Sequence, residues 1–175
     1  MRAESEPGRP RRVLGLDPGG MFGWAVLQAD AQGRVVHCAS GTWRLTPGAG
    51  ARGQRLAELA VLLERTVALH VPMSDAPLVL AIEDVRRHRG THAAHTYGAY
   101  RGCVERLAHE LGLVLLPQPV GLVKQRVTGR GNADKALMVA CATDLFALDL
   151  EGDNHADALG VALCGLDEAA RWRPA

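Results

Sequence analysis

Asp17 closes the run "VLGLDPGG", Glu83 closes "PLVLAIED", and Asp157 opens the small, apolar stretch "DALGVAL". Each puts a charge where the flanking sequence is apolar, so each carboxylate needs a partner. If the first two runs are neighbouring parallel strands, both acids arrive at the carboxyl edge of one sheet, where sites form in open sheets. Two anions side by side repel. Hard divalent cations relieve that repulsion most directly, and Mg²⁺ accepts carboxylate oxygens while keeping waters and substrate phosphate oxygens. Either acid alone is better explained as a solvated strand end; the third changes the balance. On a helix, Asn154 and Asp153 lie three and four residues before Asp157 and share its face, whereas His155 points away. Asp153 fits the N-cap of that helix as well as it fits a ligand. Three or four such ligands could hold two ions about 3.5–4 Å apart, the spacing that supports in-line displacement at a phosphodiester.

Cations accompany the acids. Lys135 falls in the first turn of a helix after "GRGN", where the helix macrodipole opposes a cation and favours a phosphate, so the pair suggests shared binding of an anion. Lys124, Arg126 and Arg130 add positive charge nearby, although a solvated basic loop accounts for the arginines equally well. After Glu83 the chain reads "DVRRHRGTHAAH", and Arg86, Arg87, His88 and Arg89 form a basic loop suited to phosphate contact. His88, His92 and His95 are not followed by a fourth zinc ligand at the usual spacing.

The elements that must position these groups can be read from the same sequence. "RVLGLD", "GWAVLQAD" and "VVHCASGTWRL", separated by "PGG" and "AQGR", predict a three-strand antiparallel meander. "QRLAELAVLLERTVALH" carries Leu56, Leu59, Leu63 and Val67 at helical spacing and predicts a crossover to the strand "PLVLAIED". A second helix, "HTYGAYRGCVERLAHELG", closes on Gly112 and leads to the short strand "LVLLP". Residues 123–146 hold a Gly-flanked loop and a third helix capped by Asn132, and a last helix begins near Asp153. The order predicts an α/β fold with a mixed sheet, three antiparallel strands joined to parallel ones through helical crossovers.

Bulk properties bound the rest. At 175 residues, 47% of them hydrophobic, the chain suits one domain over residues 12–170, preceded by a polar tail over 1–11 that has too little apolar surface to order itself. A net charge of +1 gives no global basic field, so local patches must carry any contact with nucleic acid. The four cysteines are widely spaced and read as buried thiols in a reducing cytoplasm. No apolar run approaches the roughly 18 residues of a membrane span, and the N-terminus lacks the apolar segment of a signal peptide.

Four segments taken together, "LGLDPGGMFGWAV", "LAIEDV", "VKQRVTGRGNADKALM" and "NHADALGVAL", resemble in order and spacing the RuvC-type Holliday-junction resolvases of the RNase H-like nuclease superfamily, over roughly residues 12–166. The resemblance implies an RNase H-like five-stranded mixed sheet flanked by helices. It also implies a homodimer that binds four-way DNA junctions and cuts two strands using Mg²⁺ or Mn²⁺, two ions per site. Carried over by position, Asp17, Glu83 and Asp157 resemble the family's metal ligands, and Lys124 and Lys135 its phosphate-contacting lysines. Two departures stand out. The family usually has Asp or His where this chain has Asn154, so either the second ion is held more weakly or Asp153 substitutes. The family's aromatic wedge after the second acid is replaced here by the basic loop. These departures keep open a junction-binding protein with weak or no catalysis, and a related nuclease acting on flaps or RNA. Gly98 and Gly102 share one helix face and admit close approach, either of the sheet or of a second copy.

Overall fold

The computed structural model describes residues 11–70, 78–88, 90–150 and 152–171. The expected tail over residues 1–10 lies outside the described residues, and Arg11, assigned to it from sequence, instead opens the first strand. Five strands form one sheet: β1 (Arg11–Asp17), β2 (Phe22–Ala29), β3 (Val35–Trp43), β4 (Leu78–Asp84) and β5 (Val114–Pro119). Their spatial order is β3-β2-β1-β4-β5. β1 and β3 both pair antiparallel to β2, while β4 pairs parallel to β1 and to β5. This is the mixed RNase H-like sheet expected from the resemblance. β1 and β4 are sheet-interior strands flanked by pairing on both edges, which explains their nearly unbroken apolar sequence.

Five helices cover the sheet: α1 (Arg52–His70), α2 (Thr91–Glu110), α3 (Val120–Thr128), α4 (Lys135–Phe146) and α5 (Asp153–Ala169). Side chains alternate along each strand, so β1 divides its residues between two cores. Leu14 and Leu16 join Val26, Leu80 and Ile82 under α1 and α2, packed with Leu59, Leu63, Val104 and Leu107. Val13, Ala25, Val79 and Ala81 face α5, α3 and α4 through Val123, Met138, Leu159 and Ala162. Each fully buried leucine or isoleucine contributes about 1.5–3 kcal/mol of transfer free energy. Among the described residues no helix is long and apolar enough to cross a membrane.

Two local differences from the expected elements stand out. Residues 120–128, for which the sequence predicts no helix of their own, form α3 ahead of the Gly-flanked loop. Pro119 gives that helix an extended start, and Gly129 ends it at φ 75° with its N–H on the Gln125 carbonyl. The cap of α4 is Asp134, not Asn132: Asp134 adopts extended backbone, and its carboxylate accepts from the Leu137 N–H at 2.9 Å. Both residues are good capping types, and only the one adjacent to the first helical turn can reach it.

Candidate active site

The β1–β4 ladder runs to Leu16 opposite Ile82, so the next residues, Asp17 and Glu83, stand side by side. Both point to the α5 face, the side to which Gly15 and Ala81 also belong. Asp17 is only 9% exposed, Glu83 is half-buried, and their carboxyl groups hydrogen-bond each other.

The third acid comes from α5, which lies unusually close to the strands. A Cβ on Gly15 would stand 2.4 Å from the Ala162 nitrogen, and one on Gly23 2.3 Å from the Asn154 carbonyl oxygen. Backbone therefore meets backbone, and any side chain at these two positions would push the helix away. The contact brings the first turns of α5 against the turn that follows Asp17. A Cβ on Gly19 would lie 3.9 Å from the Asn154 Oδ1, which places the Asn154 amide over that turn. His155 turns away, as expected, to within 3.3 Å of the Ser40 hydroxyl.

The three acids act on one another electrostatically. Burial first, then the charges of Glu83 and Asp157, hold Asp17 well above the ordinary aspartate value. Burial and Asp157 push Glu83 up to about 7, against lowering contributions from its bond to Asp17 and from Lys124. Asp157 is raised by burial and by Asp153, and lowered by Lys135 and Lys124. Such a set, with an amide oxygen beside it, fits a hard divalent cation, which would offset the burial and repulsion that now oppose ionisation. Among the described residues no three His, Cys, Asp or Glu side chains close tightly enough to enclose an ion. A cation held here would draw its oxygens from Asp17, Glu83 and Asp157.

The cations divide into two groups. Lys124, on α3, donates to the Ala133 carbonyl at 2.6 Å and lies close enough to lower both Glu83 and Asp157. Lys135, the first residue of α4 and 81% exposed, forms an ion pair with Asp153. Asp153 is thus not the N-cap of α5, a position held by Gly152; its carboxylate is paired with Lys135. Arg86 pairs with Asp84 at 3.0 Å, while Arg87 and Arg130 are exposed; Arg89 lies outside the described residues. Arg126 is not brought to the acids. It pairs with Asp167 at 2.5 Å, ten residues, or about 15 Å, along α5 from Asp157.

Sequence spacing does not reveal Tyr97. Its hydroxyl donates to the Glu83 carbonyl at 2.8 Å and accepts from the Val85 N–H at 3.2 Å. The only local signal is the Tyr97–Arg101 pair, four apart on one helix face; its target lies 14 residues upstream.

Comparison with known proteins agrees with this geometry. The family model described as "Crossover junction endodeoxyribonuclease RuvC" matches residues 13–165. The chain is similar to proteins of that name from Myxococcus xanthus, at 36% identity over 94% of this chain and 84% of the relative, and from a Wolbachia strain of Brugia malayi, at 30% over 87% and 92%. Its fold is that of Thermus thermophilus RuvC, with a TM-score of 0.69 at 22% identity over 90% of this chain and 95% of that one. The T. thermophilus protein "in complex with Holliday junction substrate" gives 0.71 at 22% identity over 92% and 96%. With a family model spanning most of the sequence and Asp17, Glu83 and Asp157 brought to one end of β1, β4 and α5, the chain belongs to the RuvC family of crossover junction endodeoxyribonucleases.

Proposed function

We propose that this protein resolves four-way DNA junctions as a divalent-metal-dependent endonuclease, with residues 12–170 as its catalytic unit. The observation that carries the reading is the group Asp17, Glu83 and Asp157: three acids held above their ordinary pKa values by burial and by neighbouring acids. In this reading they hold two Mg²⁺ or Mn²⁺ ions, with Asn154 supplying a neutral oxygen. When bound, the ions supply an activated water and stabilise the leaving oxygen at the scissile phosphate.

The chain's own residues do the rest. Lys124, anchored on the Ala133 carbonyl, presents its charge to the scissile phosphate. Lys135 exchanges Asp153 for a phosphate at the α4 N-terminus, where the helix dipole favours the anion. Arg86, Arg87, Arg89 and Arg130 contact phosphates beside the site, and Arg126, already engaged by Asp167, is left to the flanking duplex. A homodimer supplies the second site needed for symmetric cutting. The Gly98 and Gly102 stripe supports it: a Cβ at either position would meet nothing within 4 Å, so packing on the sheet does not explain the stripe and a second copy does. Four free cysteines suit a reducing compartment such as the cytoplasm.

The test is cleavage of a mobile four-way junction with Mg²⁺, with Mn²⁺ and in EDTA. Paired nicks that need the metal and vanish in Asp17→Asn are the expected result; no scission of junction DNA with either ion overturns it. The neutral Asn154 and the engagement of Asp153 by Lys135 favour one second reading, a junction binder with little catalysis, which predicts tight binding in EDTA without metal-dependent turnover. Parallel assays on flap and RNA–DNA hybrid substrates decide the substrate class.

A further inference from the structure

Glu83 has to present its carboxylate from a strand end that the sheet itself secures poorly. The β1 ladder stops one residue earlier, at Leu16 opposite Ile82. On the other side, β4 runs on past Glu83 opposite Gln118 to Asp84 opposite Pro119, and proline has no N–H to give. The side chain projects toward the α5 face.

The hold comes from the opposite face, through α2. The buried Tyr97 bonds the Glu83 carbonyl and the Val85 N–H with a single hydroxyl. One turn later, Arg101 binds the Asp84 carboxylate at 2.6 Å and is itself held by Glu105 at 2.8 Å. The Tyr97 ring lies against His88, with centroids 4.8 Å apart, so the loop beyond the strand closes over the residue that fixes its root. Three consecutive residues, Glu83 to Val85, are each tied to α2 by a different bond. The geometry points to Tyr97 as a positioning residue: its hydroxyl, backed by the Arg101–Asp84 pair, sets where the Glu83 carboxylate stands. This inference rests on the reading of Glu83 as a metal ligand. It goes beyond that reading by naming the residue of α2 that holds the strand end carrying Glu83.

The experiment is a calorimetric titration of Mn²⁺ into the full chain, stripped with EDTA and free of DNA, beside junction binding measured in EDTA. Wild type binds Mn²⁺ and Glu83→Gln loses that binding. Tyr97→Phe keeps the ring and removes the hydroxyl; its Kd for Mn²⁺ rises about tenfold, the usual loss when a group supporting a ligand is removed, while junction affinity in EDTA stays at the wild-type value. Arg101→Gln, which leaves Asp84 with its exposed partner Arg86 alone, shifts Mn²⁺ affinity in the same direction. Tyr100→Phe, a buried tyrosine on the same helix packed edge-on to Phe22, leaves it unchanged. Wild-type Mn²⁺ affinity in both Tyr97→Phe and Arg101→Gln overturns the positioning role alone. An equal loss in Tyr100→Phe overturns it as well, since any buried hydroxyl would then do. Absence of Mn²⁺ binding by wild type, or binding indifferent to Glu83→Gln, overturns the metal-site reading beneath it.

Discussion

Replacing Glu83 by glutamine should make the protein more stable while destroying its activity. Glutamine keeps the shape and an acceptor oxygen for Asp17 but cannot ionise. In wild type, burial and Asp157 lift the Glu83 carboxyl from 4.5 to about 7, so the fold binds its proton more tightly than the unfolded chain does. A group raised in this way contributes stability that is fully present below the unfolded value and is lost as pH rises through the folded one. Ionising Glu83 in the folded protein therefore costs about 3.5 kcal/mol between pH 4.5 and 7, at about 1.4 kcal/mol per pKa unit. For a domain of this size that is roughly 7–14 °C in Tm. Thermal unfolding followed by circular dichroism in EDTA, from pH 4.5 to 8, reads the effect. Wild type should fall progressively below Glu83→Gln across that window, the two curves meeting at the acid end. Added Mn²⁺ should raise the wild type at pH 7.5 and leave the variant where it is. Parallel curves, or a variant less stable than wild type at pH 7.5, would refute the claim that this carboxyl is held under electrostatic stress.

Other outcomes follow from the same geometry. Gly23→Ala places a methyl 2.3 Å from the Asn154 carbonyl oxygen; it should cost about 1–3 kcal/mol in a denaturant titration and lower junction cleavage by displacing the first turn of α5. Lys135→Ala removes a cation that lowers Asp157 and strips Asp153 of its partner. Because the ligand acts ionised, the acid limb of the pH–rate profile should move to higher pH, and an unshifted limb would contradict the pairing. Gly98→Leu adds bulk where no atom stands within 4 Å, so light scattering should show a monomer of undiminished Tm; a dimer that survives it places the interface elsewhere.

The acids were legible in the sequence because each breaks an apolar run, and because right-handed crossovers leave few ways to arrange β1 and β4. The small residues of α5 likewise announce a helix pressed onto a sheet, although only the structure shows that Gly15 and Gly23 receive it. Residues 120–128 escaped because nine residues with three β-branched valines and a glycine near the start give little helical periodicity. Long-range pairing is what spacing cannot carry. Arg126 looks like its basic neighbours until Asp167, 41 residues away, is folded against it, and Lys135 looks like a free cation until Asp153 closes on it. Tyr97 reads as an ordinary core aromatic until its hydroxyl is found on the Glu83 carbonyl.

The contact of α5 with Gly15 and Gly23 also sets a clock. The helix that completes the acid group is the last element of the fold, and Asp157 lies 140 positions after Asp17. At about 5–20 residues per second, a ribosome needs roughly 7–28 s to travel between them. Throughout that interval the emerging chain carries Asp17, and later Glu83, without their third partner. In the proposed reading, a chain that ends before α5 lacks the third acid and should cut no junction DNA.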